Sequence, residues 1–172
     1  MRGRIVGTIA AGLIIAAAGL ALAGHHGRRD ASGCPLEGAV DPAYAGACGS
    51  CHFAYQPGLL PAASWERLLD GLGDHFGNAV DLDSGGKAAL RAYLCANAAD
   101  RSPGRHARKL LRGMDGRTPL RITETSWFRH KHHHVAAATF RRASVGGAGN
   151  CPACHPAAAR GDYDDDAVRV PR

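Results

Sequence analysis

The sequence has few large apolar side chains. Aromatic residues make up 6% of the 172 residues, and the chain contains only two Met and two Trp. Beyond residue 23, Leu, Ile, Val and Phe together number 23, whereas the full chain has 33 Ala and 23 Gly. A chain with so little apolar side chain either stays loose or packs around added apolar surface. This composition argues against an ordinary soluble enzyme with a self-sufficient core.

The sequence also lacks a strong excess of positive charge. Its formal net charge is +6, and few aromatic residues lie among the basic ones. Nucleic-acid binders combine a denser basic surface with stacking aromatics. We therefore expect no nucleic-acid partner.

The N-terminal segment predicts export. Arg2 and Arg4 precede an uncharged run over 5–23, which ends in the small-x-small sequence Ala21-Leu22-Ala23. This arrangement is typical of a secretory signal peptide, which places the remaining chain in the periplasm. The alternative is an uncleaved membrane anchor, since a run of this length would just span a bilayer.

Two copies of the motif CxxCH stand out among the six cysteines. They are Cys48-Gly49-Ser50-Cys51-His52 and Cys151-Pro152-Ala153-Cys154-His155. In such a motif each thiol adds across a vinyl group of haem, and the histidine binds the iron as its proximal ligand. The motifs predict two covalently attached haem c groups, here called haem 1 and haem 2 in chain order.

Two other interpretations of these cysteines are weaker. Two CxxC pairs could bind one zinc ion, and in an oxidising compartment they could form disulfides. The separation between Cys51 and Cys151 far exceeds the spacing of a zinc ribbon. Neither alternative explains why a histidine follows both pairs.

The patterning of the chain predicts a mainly α fold with two small haem lobes and much irregular chain. A first helix is expected from Pro61, with an apolar face running from Trp65 to Phe76. A second is expected over 84–98, capped by Asp83, and a short third follows Gly104. We divide the chain into a signal peptide (1–23), a flexible segment (24–43), a haem 1 lobe (44–100), a basic linker (101–121) and a haem 2 lobe (122–172).

Each iron needs a second axial ligand. Beyond the signal segment, Met114 is the one methionine, so at most one haem could have His/Met ligation. His75 lies on the predicted apolar face of the first helix, three residues after Leu72. We interpret it as the second ligand of haem 1 rather than as an ordinary core histidine.

The second ligand of haem 2 is expected within the histidine-rich segment 130–134. His132 precedes His155 by 23 residues, and His75 follows His52 by the same number. This equal spacing favours His132, while His130 and His134 remain alternatives.

The sequence resembles the small dihaem cytochromes c of bacterial periplasms. The resemblance runs from about Tyr44 to Pro171 and rests on CGSCHFAYQPGLLPAASW (48–65), GLGDHFG (71–77), AYLCANAAD (92–100), TPLRITETSWFRHKH (118–132) and NCPACHPAAARGDYDDDAVRVP (150–171). It implies a two-lobed, largely helical electron carrier. It also implies that His52 and His75 ligate haem 1, and that His132 and His155 ligate haem 2.

Some residues depart from the pattern of that family. His133-His134 replaces a more usual charged pair, and Cys34 and Cys95 do not belong to the pattern. Cys34 and Cys95 are either two unpaired thiols or a disulfide that ties the N-terminal segment to the second helix.

Two classes of function follow from these observations. With histidine on both faces of each iron, no small-molecule substrate reaches the metal, and the protein acts as an electron carrier rather than an enzyme. Its expected partners are other periplasmic or membrane-attached redox proteins, haem proteins above all. The basic stretch 101–121 either steers an acidic partner or serves as a solvated linker. The alternative is a gas sensor or haem enzyme with one open iron site.

Overall fold

The computed structural model describes residues 36, 40–102 and 104–172, and this part of the chain is helical without a β-strand. The mainly α prediction is confirmed. None of the helices described is long and apolar enough to cross a membrane. The expected signal peptide and Cys34 lie outside the described residues. The helices are α1 (Pro42–Cys48), α2 (Ala62–Asp70), α3 (Ser84–Ala96), α4 (Arg105–Arg112), α5 (Ser126–Lys131), α6 (Ala137–Phe140) and α7 (Cys151–Cys154).

Short 3₁₀ turns connect these helices. Short 3₁₀ turns are common as connectors and at the ends of α-helices. They lie at Pro57–Leu59, Leu72–Asp74, Ala99–Arg101, Ile122–Glu124, Ala158–Arg160 and Asp165–Ala167.

The main hydrophobic cluster lies where α2 packs against α3. Trp65 and Leu69 of α2 meet Leu90 and Leu94 of α3, and all four side chains are buried. Tyr44 of α1 adds an edge-on contact with Trp65, with ring centroids 6.5 Å apart. The cluster therefore holds α1, whose last residue belongs to the first CxxCH motif, against the α2–α3 pair.

The second predicted helix is confirmed as α3. Asp83 caps it, since its side-chain oxygen accepts a hydrogen bond from the backbone N–H of Gly86 at 2.9 Å. On the outer surface, the Arg91 guanidinium lies 2.5 Å from the Asp70 carboxylate and links α3 to the end of α2. Because Asp70 is exposed, this ion pair adds little stability.

The first predicted helix is wrong at its C-terminal end. α2 stops at Asp70, and the chain continues as the 3₁₀ turn Leu72–Asp74 into His75, which is not helical. Gly71 and Gly73 interrupt the helical run, because glycine stabilises a helix less than any residue except proline. His75 then exchanges backbone hydrogen bonds with Asn78, donating at 2.7 Å and accepting at 3.3 Å.

The stretch 101–121 includes a helix with its own small core. In α4, Ala107 and Leu110 are buried, and Leu110 packs with Ala99 and Met114. Trp127 of α5 covers this cluster, with the Lys109 ammonium 5.7 Å from its ring centroid. α4 therefore packs between the 3₁₀ turn Ala99–Arg101 and α5. Its basic side chains are exposed.

The small clusters predict that the helices need the haems. We expect the variant with Cys48, Cys51, Cys151 and Cys154 all changed to Ala to lose most of its helical circular dichroism, because covalent haem supplies apolar surface that the side chains lack. Cys95→Ala, at a half-buried thiol outside the motifs, is the matched control and should keep its signal. A full native helix signal in the four-cysteine variant would contradict this prediction.

Candidate haem-binding sites

The histidine of the first motif faces the residue that follows α2. The imidazole rings of His52 and His75 have centroids 6.1 Å apart and planes inclined by 19°. The turn after α1 places His52, and the pairing of His75 with Asn78 places its partner. The structure therefore brings together the two side chains predicted for haem 1, although His75 reaches its position from a loop rather than from a helix.

The histidine of the second motif faces the end of α5. The rings of His132 and His155 also have centroids 6.1 Å apart, but their planes are inclined by 78°. His132 is the residue that caps α5, and His155 caps α7. In the histidine-rich segment, His130 stacks instead on His133, at 5.9 Å between centroids.

The common separation of 6.1 Å matches the space that one iron needs between two imidazoles. A ring nitrogen binds a first-row metal at about 2 Å, and the ring centre lies about 1 Å beyond that nitrogen. Two rings on opposite sides of one metal therefore have centres about 6 Å apart. Both pairs have the separation of axial ligands on the two faces of a haem.

Hydrogen bonds at two of the histidines leave the other ring nitrogen available. His52 Nδ1 lies 2.8 Å from the carbonyl oxygen of Phe53, and His132 Nδ1 lies 2.9 Å from that of Phe128. A carbonyl only accepts, so each Nδ1 carries the proton and each Nε2 keeps its lone pair. Such a second hydrogen bond is the usual support of a metal-bound histidine.

His155 lacks that support among the described residues. Its Nδ1 is buried and has no hydrogen-bond partner there. A buried polar atom without a partner is costly and is often found at a functional site. Among the described residues, the chain thus leaves one nitrogen of this ring unsatisfied.

Burial keeps two of the histidines in the form that binds metal. It is the main cause that lowers the pKa of His75, with His52 opposite as a further cause. Burial likewise lowers the pKa of His155, and His132 adds to the effect. A lower pKa favours the neutral imidazole, which is the ligand form.

The four motif cysteines are free thiols in the structure. Burial raises the pKa of Cys48 and Cys154, and it raises the pKa of Cys151 to about 11. Burial therefore favours the protonated form of the Cys48, Cys151 and Cys154 thiols at neutral pH. Within residues 36, 40–102 and 104–172, no three His, Cys, Asp or Glu side chains lie close enough to hold a metal ion. The two CxxC pairs do not meet in a zinc site.

The alternative ligand Met114 lies elsewhere. Its side chain is buried with Ala99 and Leu110 in the α4 cluster.

Cys95 is a half-buried free thiol whose sulfur lies 3.9 Å from Glu66 Oε1. Its suggested partner Cys34 is outside the described residues.

Sequence reasoning missed the aromatic residues that surround the histidines. Phe128 stacks on His132 at 4.1 Å between centroids, and Phe76 lies 4.8 Å from His75. Phe128 lies one helical turn before its histidine, a spacing that could have revealed it. Tyr163 lies 5.5 Å from His155 across a stretch of irregular chain, and no local signal predicts that contact.

Phe76 was expected on the buried face of the first helix, and this is wrong. Its side chain is 41% exposed, and its backbone adopts the left-handed region with φ 56°. The guanidinium of Arg121 lies over its ring at 3.8 Å from the centroid. The difference arises because α2 ends at Asp70, so Phe76 does not share a helical face with Trp65.

Comparisons with known proteins identify a family for this chain. A family model for dihaem cytochrome c matches residues 44–163. The chain is similar to a solved dihaem cytochrome c from Rhodobacter sphaeroides, with 39% identity, 74% of this chain and 99% of that chain covered, and a TM-score of 0.65. It is also similar to a dihaem cytochrome c from Shewanella baltica OS155, with 32% identity, 76% and 92% covered, and a TM-score of 0.62. No curated protein matches the chain.

The different ring angles predict two different electron paramagnetic resonance signals. Parallel imidazoles split the two iron orbitals that receive their π electrons, whereas perpendicular imidazoles leave them nearly equal in energy. With 19° at one pair and 78° at the other, oxidised haem 1 should give a rhombic low-spin signal. Oxidised haem 2 should give a strongly anisotropic signal with one large g value.

A variant can assign these signals. Phe128→Leu removes the ring that stacks on His132 but keeps the backbone carbonyl that accepts its hydrogen bond. It should change the haem 2 signal and leave the haem 1 signal as it was. Two indistinguishable signals in the unaltered protein would contradict the prediction.

Proposed function

This chain belongs to the dihaem cytochrome c family, and we propose that it carries electrons in the periplasm through two haems ligated by histidine on both faces. As a member of that family it binds two haem c groups covalently and has the role of an electron carrier. Bound haem supplies an iron that cycles between two oxidation states. The residues that would hold it by thioether bonds are Cys48 and Cys51 at haem 1, and Cys151 and Cys154 at haem 2.

The observation that carries the proposed ligation is the facing arrangement of the two histidine pairs. His52 and His75, and separately His132 and His155, have ring centroids 6.1 Å apart. A bound iron held by a histidine on each face would have no open site for a substrate. Without methionine, which raises the potential, both haems should have low reduction potentials.

The rival function is a gas sensor or haem enzyme with one open iron site. It requires that one of the four histidines stay away from its iron. We favour the electron carrier because each histidine pair leaves space for one metal and no room for an additional ligand between the rings. Carbon monoxide distinguishes the two, since it binds a reduced iron only where an axial site is open.

We expect carbon monoxide to leave the spectrum of the reduced protein unchanged. His75→Ala should create carbon monoxide binding at haem 1 alone, and His132→Ala should create it at haem 2 alone, because each change removes one axial ligand. His134→Ala is the matched control in the same segment and should bind none. If His134→Ala opens haem 2 instead, the proposed ligand is wrong by two residues. Binding to the unaltered protein would support the sensor or enzyme.

The proposed location follows from the chemistry of attachment. Haem c is attached outside the cytoplasm, and the chain begins with the pattern of a signal peptide over 1–23. Cleavage after Ala23 would release the protein into the periplasm. Retention of that segment would anchor it to the membrane instead.

The proposed partner is an acidic redox protein that approaches the α4 surface. We define the α4 surface as the exposed basic side chains Arg101, Arg105, Arg108, Lys109 and Arg112. Electron-transfer partners meet briefly, so complementary charge affects their rate of encounter more than the strength of the complex. This concentration of one sign of charge suits a partner of the opposite sign.

Small charged oxidants can test this surface. Arg101→Glu combined with Arg112→Glu should slow oxidation of the reduced protein by hexacyanoferrate(III) at low salt and speed oxidation by hexaammineruthenium(III). Both differences should fade near physiological salt, where charges are screened beyond about 8 Å. Arg141→Glu with Arg169→Glu makes the same change in net charge elsewhere. If this control changes the rates equally, the α4 surface has no special role.

A further inference from the structure

The segment after the first haem motif is hydrogen-bonded to three places around the second. The Tyr55 hydroxyl donates to the carbonyl oxygen of Gly149 at 2.8 Å. The side-chain nitrogen of Gln56 donates to the carbonyl oxygen of Ala158 at 2.7 Å, and its side-chain oxygen accepts from the hydroxyl of Tyr163. The partners are 94 to 107 residues apart in the chain. We call Tyr55, Gln56 and Tyr163 the seam.

Gln56 is the central residue of the seam. Its side chain is only 1% exposed, although glutamine is normally a surface residue. Both ends of its amide have partners, and the carbonyl of Ala158 can only accept. The amide is therefore held in one orientation, with its oxygen toward Tyr163. A buried amide with both ends hydrogen-bonded stabilises the contact between two segments and also fixes their relative orientation.

The two tyrosines of the seam extend to the histidines of the CxxCH motifs. The Tyr55 ring lies 5.4 Å from the His52 ring, and the Tyr163 ring lies 5.5 Å from the His155 ring. One continuous set of contacts thus joins the histidine of haem 1 to the histidine of haem 2.

We infer that Tyr55, Gln56 and Tyr163 are positioning residues, which set the separation and orientation of the two haems for electron exchange between them. This inference rests on the proposed function. In the exchange, one iron loses an electron and the other gains it, and no bond or proton moves. The rate therefore depends on distance and orientation, and the seam sets both by bonding the segment beside His52 to the segments on either side of His155.

Single-hydroxyl variants test the inference with little disturbance. Tyr163→Phe removes the hydrogen bond to Gln56 but keeps the ring beside His155, and Tyr55→Phe removes the bond to Gly149. The matched control is Tyr93→Phe, which removes a hydroxyl that accepts from the backbone N–H of Asp41 at 3.0 Å, outside the seam. Gln56→Leu removes both bonds of the amide at nearly constant volume.

The measurements are the electron-exchange rate in the half-reduced protein and the magnetic coupling between the two oxidised irons. We expect Tyr163→Phe to slow the exchange several-fold and to change the coupling, and Gln56→Leu to do so more strongly. Optical spectra and insensitivity to carbon monoxide should stay as in the unaltered protein. Tyr93→Phe should change neither quantity.

Unchanged exchange and coupling in Tyr163→Phe would overturn the inference, even if Gln56→Leu fails to fold. An equal effect of Tyr93→Phe would also overturn it, because general loosening would then explain the result. Failure of the proposed function is a separate outcome. It would be seen as carbon monoxide binding to the unaltered protein, whatever the variants do.

Discussion

Two imidazole rings must face each other with about 6 Å between their centres if they are to share one iron. The fold meets this requirement twice, with the same 6.1 Å separation and with different supports. At haem 1, a turn after α1 faces a loop after α2, and the α2–α3 cluster holds both in place. At haem 2, the end of α5 faces the end of α7. Most of the chain serves to bring these four segments together.

The low content of large apolar side chains explains why the helices are short and the hydrophobic clusters are small. The main cluster joins α1, α2 and α3, and a separate one joins α4 to α5. Neither cluster surrounds a histidine pair, where aromatic rings such as Phe128 and Phe76 lie instead. Bound haems would add apolar surface between these rings, which a chain with few large apolar side chains cannot itself supply.

The two sites differ in ways that suit a carrier with two distinct centres. The rings at haem 1 are nearly parallel, and Arg121 places a positive charge over the neighbouring Phe76. The rings at haem 2 are nearly perpendicular, and the ion pair between Lys131 and Asp165 joins α5 to the C-terminal segment. Between the sites, Tyr55 and Tyr163 pack against Leu36 and Leu59, and the seam through Gln56 adds directed hydrogen bonds to this apolar packing. Polar contacts of this kind specify one relative placement, whereas small apolar surfaces would allow several.

The sequence by itself determined what depends on neighbouring residues. The spacing in CxxCH is local chemistry, so it identified both attachment motifs, and the N-cap Asp83 together with helical periodicity located α3. It placed the end of α2 too late, because apolar periodicity up to Phe76 was given more weight than Gly71 and Gly73. The equal spacing of the histidines also favoured His132 as the partner of His155. Only the tertiary structure set the ring angles and buried Gln56 between the two haem motifs. These features arise from contacts between segments that are distant in the chain, and no short-range pattern encodes such contacts.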